Sequence, residues 1–285
     1  MKALVIGKSG QVAYELLATC PAHISAVAYG RSDIDILDIT SVQAVVEKEQ
    51  PDVIINASAY TAVDKAETDK DAAFAINGDA VANLANVAKQ QKIRLLHIST
   101  DFVFDGTQST PYKVDDRPNP INMYGASKLA GELAIQEIYP ENAAIVRTSW
   151  VYSSHGNNFV KTMLRLMAEK DALNVVSDQI GSPTYAKGLA EYLWRLAEQD
   201  TLELIQHYSD LGVASWYDFA VAIQEIALGK GLLTKSIPIS TIPASQYPTP
   251  AKRPAFSLMD KHNMAIGVHW RKQLSVMLRM LINEQ

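Results

Sequence analysis

A single cysteine, Cys20, occurs in the 285 residues. It has no partner for an intrachain disulfide and no companions for a thiolate metal cage, so the chain fits a reducing compartment. Charge of one sign is nowhere concentrated. With 26 basic and 31 acidic residues the net charge is −5, and no block of like charge reads as a tail or as a nucleic-acid surface. Long apolar runs are missing as well. Met1-Lys2 leads into Ala3-Leu4-Val5-Ile6 and then a glycine, far short of a signal-peptide core or a membrane span. A cytoplasmic protein without membrane or nucleic-acid partners is therefore expected. No internal repeat, low-complexity tract or long linker separates the chain into independent bodies.

What is present is alternation. Short β-branched runs at Ala3 to Ile6, Ile24 to Tyr29, Val53 to Ala57, Leu95 to Ser99 and Ala144 to Thr148 read as strands buried on both faces. Helical periodicity lies between them, over Val42 to Glu49, Asp79 to Gln91 and Ser127 to Ile138. This is the pattern of βαβ units feeding a parallel sheet. The fold class is α/β: a Rossmann-type doubly wound parallel sheet, followed by a smaller C-terminal α/β lobe where proline-punctuated loops replace the alternation. Asp64 and Glu67 have capping-box spacing, which predicts a helix beginning just after the Asn56 to Thr61 turn.

Gly7-Lys8-Ser9-Gly10-Gln11-Val12-Ala13 follows the first strand and opens a helix. Small residues there let backbone N–H groups and a helix N-terminus approach a pyrophosphate, although a tight βα turn needs glycine for geometry alone. The position that would carry an acid for an NAD ribose is Gly30, followed by Arg31. An arginine suits a 2′-phosphate, which points to NADPH with NADH possible; a solvated surface charge is the other reading of Arg31. Asp38 and Ile39 are placed to meet the adenine. Residues 1–150, with parts of 170–205, form the expected dinucleotide-binding domain, and 151–285 mainly the substrate-binding lobe.

Tyr124 and Lys128 are four residues apart, on one face of a helix. A free phenol titrates near pH 10, so it serves acid–base chemistry best beside a positive charge, which Lys128 and an oxidised nicotinamide would supply. Thr100 ends a buried strand at the sheet edge where a nicotinamide would lie, and can hold a ketone oxygen for protonation. Its bland reading is a threonine capping a turn. Asn77 either holds a water near Lys128 or breaks a helix.

Together these segments resemble the dTDP-4-dehydrorhamnose reductases, within the extended short-chain dehydrogenases. The similarity runs through Gly7 to Gln11, Asn56 to Glu67, Ser99 to Gly106, Tyr124-Gly125-x-x-Lys128, Arg147 to Tyr152, Gly156 to Phe159, Asp178 to Thr184 and Tyr247 to Pro254. The resemblance implies NADPH-dependent reduction of the 4-keto group of dTDP-4-dehydro-L-rhamnose to dTDP-L-rhamnose, for surface polysaccharide such as O-antigen. It makes Tyr124 the proton donor and Lys128 the residue on the nicotinamide ribose. Thr100, Asp101 and Trp150 would touch the sugar, and Gly10, Gln11, Val12, Ala59, Tyr60 and Thr61 the cofactor. Related 4,6-dehydratases carry an Asp-Glu pair after the threonine; here the second acid is Phe102, which excludes the elimination. Some relatives form magnesium-bridged dimers, and Glu15 matches one such carboxylate. Lys187 replaces a second acid, so no metal is expected, and both monomer and homodimer fit. Arg253 suits a diphosphate or the bare surface equally. The alternative to an enzyme is a non-catalytic NADP-binding regulatory subunit, similar to that of methionine adenosyltransferase.

Overall fold

The first half of the chain alternates β1 (Lys2–Ile6), α1 (Gln11–Ala18), β2 (Ser25–Tyr29), α2 (Ile39–Glu49), β3 (Val53–Asn56), α3 (Lys70–Phe74), α4 (Ala80–Gln91), β4 (Arg94–Thr100), α5 (Met123–Ile138) and β5 (Ala143–Thr148). The second half holds β6 (Val151–Tyr152), α6 (Phe159–Glu169), β7 (Leu173–Val176), β8 (Ile180–Gly181), β9 (Thr184–Tyr185), α7 (Ala186–Glu198), β10 (Ile205–His207), β11 (Ala214–Ser215), α8 (Trp216–Gly229), β12 (Ile239–Ile242) and α9 (Trp270–Asn283). The computed structural model describes residues 1–261 and 267–283. Among them, no helix is long and apolar enough to cross a membrane.

Six strands pair in the order β10-β5-β4-β3-β1-β2, every pair parallel. Alternate residues of each strand feed opposite faces. Leu4, Ile6 and Ile54 pack with Val42 and Val46 of α2, Leu84 of α4 and Ile135 of α5. Ala3, Val5, Val53 and Ile55 pack with Leu16 of α1 and Leu189, Leu193 and Trp194 of α7. Because both faces are covered, the strands read as continuous apolar runs. The second helix of that face, α7, and the edge strand β10 thus come from residues 186–207. The remaining C-terminal elements enclose their own core around Tyr152, Phe219, Trp270 and Met277.

Strand order reverses between β1 and β3, and ligands of doubly wound sheets bind at the carboxyl ends of strands beside such a reversal. The helices beside it start earlier than the apolar periodicity suggests. Asp38 accepts from the Thr40 N–H at 2.9 Å and starts α2; Asn122 accepts from the Gly125 N–H at 2.7 Å and starts α5. The capping box expected at Asp64 and Glu67 does not form. Only a single 3₁₀ turn, Lys65–Glu67, occurs there, with no side-chain cap from Asp64. Both carboxylates make tertiary contacts instead: Asp64 accepts from the Ala251 N–H and from Arg253, Glu67 from the Met123 N–H.

Helix α5 is set against the sheet by two devices. One is a buried ion pair: Arg147 of β5 donates Nη2 to Glu132 Oε2 at 2.8 Å and Nε to Oε1 at 3.0 Å, with side-chain exposures of 2% and 0%. Ser99 of β4 donates to the same carboxylate. The other is close backbone approach. A Cβ on Gly131 would sit 2.2 Å from the Asn77 carbonyl oxygen, and one on Gly125 2.1 Å from that of Phe102. The Asn77 carbonyl belongs to a π-helical turn, Ala75–Asp79, that precedes α4.

Removing one partner of a buried pair strands the other charge. Glu132→Ala is expected to lower stability by about 3–5 kcal/mol, read as a shift in urea midpoint at unchanged slope. A loss well under 1 kcal/mol would mean that the pair does not hold the helix.

Candidate active site

A cleft of about 520 Å³ opens at the reversal between β1 and β3. Gly7 forms its floor with φ +107, and a Cβ there would lie 2.8 Å from the backbone of Ala57, so only glycine allows the turn. The Gly7 and Lys8 N–H groups bond the Tyr29 carbonyl, and Gly10 closes the loop onto the Gly7 carbonyl at 2.8 Å. Helix α1 begins at the next residue, leaving its free N–H groups at the rim.

Of the residues expected to meet a cofactor, Gly7, Gly10, Arg31, Ala59 and Thr61 line this cleft. Arg31 is exposed and has no ion pair among the described residues. Gln11 and Val12 lie in the first turn of α1, where Gln11 Oε1 accepts from Asn158. Tyr60 turns its phenol to Asp69 at 3.0 Å and presents its N–H to Asn77 Oδ1 at 2.8 Å. Asp35, Ile36 and Leu37 line the cleft, and Asp38 and Ile39 follow directly after them at the start of α2. The Asp38 carboxylate caps that helix, accepting from Thr40 through Oδ1.

The second group of candidates meets at the adjoining carboxyl end of β4. Thr100 ends that strand, accepts from the Phe102 N–H at 3.2 Å and donates to Asp101 at 3.1 Å, so it does cap a turn. The Thr100 hydroxyl also acts on the Tyr124 phenol, drawing its pKa down. Burial pushes Tyr124 up to about 12; the Thr100 hydroxyl works against this, and the Asp101 charge adds to it. Lys128 does not outweigh that burial, so Tyr124 holds its proton, the state a proton donor requires. Lys128 is 1% exposed; its Nζ donates to the Ile98 carbonyl at 2.7 Å and lies 3.2 Å from His97 Nε2. Burial brings Lys128 down to about 8, with the Glu132 carboxylate acting in the other direction.

Asn77 is neither a helix breaker nor remote from the site. Its side chain donates to the Tyr60 carbonyl at 3.1 Å and to the Ser127 hydroxyl at 2.9 Å, joining the cofactor turn to α5. Arg253 grips Asp64 through two bonds of 3.0 and 2.9 Å. Trp150, at φ 48, stacks on Trp216 with ring centroids 3.6 Å apart, so one face of its indole is already covered. Glu15 is buried and accepts from Ser153 at 2.6 Å, and no cluster of three metal-ligating side chains occurs among the described residues.

Asp101 is 2% exposed, and burial raises it to about 7 against hydrogen bonds from Ser257 and Thr100. A carboxyl with a raised folded-state pKa weakens the fold as pH climbs from its unfolded value, near 4, to its folded value. The penalty is complete above about 7 and amounts to roughly 3–5 kcal/mol at 1.36 kcal/mol per unit. Asp101→Asn removes it. The stability difference between Asp101→Asn and the parent is therefore expected to shift in favour of the variant between pH 4 and pH 8 by urea denaturation. A difference that stays constant would show the carboxyl titrating normally.

With this geometry in place, comparison with known proteins places the chain in a family. Residues 1–282 match the family described as the RmlD substrate binding domain. A dTDP-4-dehydrorhamnose reductase from Sinorhizobium fredii is 41% identical over 276 residues, covering 94% of this chain and 92% of the relative. The crystal structure of a dTDP-4-dehydrorhamnose reductase from Clostridium acetobutylicum superposes with a TM-score of 0.92 at 34% identity, over 99% of this chain and 100% of that one. That of Bacillus anthracis, in complex with NADP, gives 0.90 at 33% identity, over 100% and 99%. The chain belongs to the RmlD substrate binding domain family, that of the dTDP-4-dehydrorhamnose reductases.

Proposed function

We propose that this protein reduces the 4-keto group of dTDP-4-dehydro-L-rhamnose with NADPH, and that Tyr124 gives the proton to the new hydroxyl. The observation that carries the reading is the meeting of Thr100, Tyr124 and Lys128 at the carboxyl edge of the sheet, beside the glycine-floored cleft. The nucleotide and the sugar come from the names of the relatives at about 40% identity, and NADP from the Bacillus anthracis complex. Those relatives are named as reductases, so nothing favours a purely regulatory role.

The cleft suits a dinucleotide. A side chain at Gly7 would strike the Ala57 backbone at the cleft floor, the start of α1 offers N–H groups to a pyrophosphate, and exposed Arg31 stands at the rim for a 2′-phosphate. A reduced nicotinamide, when bound, supplies the hydride for carbon 4. As the carbonyl electron pair moves onto oxygen, that oxygen takes the Tyr124 proton. Thr100 holds the same oxygen by a hydrogen bond, and the Lys128 charge stabilises the phenolate left behind. Asp101 and Trp150 flank the sugar, Trp150 through whatever part of its indole Trp216 leaves uncovered.

Loss of absorbance at 340 nm is expected when protein and NADPH meet dTDP-4-dehydro-L-rhamnose, and not with a GDP-linked keto sugar. Tyr124→Phe should fold normally and lose at least about 100-fold in turnover, within the range of a general acid. Full activity in that variant would remove Tyr124 as the acid. Arg31→Ala should lower the preference for NADPH over NADH by about tenfold, equivalent to 1.4 kcal/mol; an unchanged preference would return Arg31 to the plain surface.

A further inference from the structure

The surroundings of the Lys128 amine are fixed by groups of known donor or acceptor character. His97 lies fully buried within β4, with Nε2 3.2 Å from Lys128 Nζ and Nδ1 3.0 Å from the side-chain nitrogen of Asn56. The Asn56 amide cannot be turned over. Its Oδ1 accepts from the Ser58 backbone N–H at 3.1 Å and from the Ser58 hydroxyl at 2.6 Å. A backbone N–H only donates, so Oδ1 must remain beside it and Nδ2 must face the imidazole. Nδ1 of His97 is therefore an acceptor. Burial and the Lys128 charge hold the ring far below its ordinary pKa, so it is neutral and its one proton sits on Nε2, directed at Lys128.

An N–H aimed at an ammonium sets two donors face to face. Aimed at an uncharged amine, it makes a hydrogen bond into the lone pair. We infer that His97, locked by Asn56 as the Nε2–H tautomer, is a positioning residue that favours the uncharged amine of Lys128 and so sets the pH at which the reductase loses its lysine charge. The inference rests on the roles of Tyr124 and Lys128 proposed above.

The charged and titratable groups around this lysine act as a set. Glu132, one turn on in α5, favours the ammonium, but it is shared with Arg147 of β5. Tyr124 stands one turn back, with Asp101 of the turn after β4 acting on it. Glu67 reaches the start of the helix at Met123. His97 is the member of this set in hydrogen-bonding reach of Nζ. Lys128, brought down to about 8 by burial, then discharges just above neutral pH, and reduction falls as pH rises through that value.

The test is the pH profile of kcat at saturating NADPH and sugar, together with the His97 tautomer read from long-range ¹H–¹⁵N spectra of the parent protein assigned through the backbone. His97→Gln can turn its amide oxygen towards the ammonium. Its alkaline limb is expected to move up by about one pH unit, with little change in KM. The spectra are expected to show a proton on Nε2 and none on Nδ1. A limb that coincides with that of the parent, or a proton on Nδ1, overturns the inference; the spectra decide it even if His97→Gln fails to fold. Lys128→Met separates the two levels. If it keeps full activity, the proposed role of the lysine fails. If it is inactive while the His97→Gln profile is unmoved, the assignment to His97 alone falls.

Discussion

The ion pair between Glu132 and Arg147 fixes the geometry on which the rest depends. Two charges removed from water are tolerated only when each is fully bonded, and here the guanidinium meets the carboxylate at 2.8 and 3.0 Å with Ser99 as a third partner. With Ser99 the pair joins three elements: α5, β5 and β4. Ser99 immediately precedes Thr100, and Glu132 lies one turn beyond Lys128. The contacts that satisfy the buried charges thus also set the distance from the strand hydroxyl to the helix that carries the phenol and the amine. The Arg147 guanidinium packs 5.1 Å above the Phe104 ring as well, which ties the segment after Asp101 to the same anchor.

A second constraint is the close approach of the α5 backbone to its neighbours. Gly125 and Gly131 bring its backbone against carbonyl oxygens of Phe102 and Asn77, at separations where no side chain fits. The π-helical turn at Ala75–Asp79 points the Asn77 side chain back to Tyr60 and across to Ser127. The turn after β3 and the helix are thereby joined through one buried amide. Each polar atom of that amide has a partner: Oδ1 accepts from the Tyr60 N–H, and Nδ2 donates to the Tyr60 carbonyl and the Ser127 hydroxyl.

Burial governs the titration of the centre. It holds Tyr124 protonated, raises Asp101 to about 7 and lowers Lys128 to about 8, each shift opposing the charged form. A site built this way keeps the phenol protonated until charge develops on the ketone oxygen, and keeps the lysine charge that favours the transfer only below about pH 8.

The sequence by itself determined the parallel α/β sheet, the glycine turn after β1, and the types of residue needed for the chemistry. These follow from periodicity and local stereochemistry, which are written in neighbouring positions. The five strands and the Tyr124–Lys128 face were legible for that reason, as was the family, through motifs such as Ser99-Thr100-Asp101. Only the tertiary structure decided which polar side chains meet. Asp64 and Glu67 have the spacing of a helix cap, yet Arg253 and Met123, far along the chain, claim them. Trp150 has the character of a sugar platform and shares its face with Trp216. His97 gave no signal at all, because its role depends on Asn56, 41 residues away, and on Lys128, 31 residues away. Such pairings are chosen by the hydrogen-bonding needs of groups brought together by packing, and no local spacing encodes them.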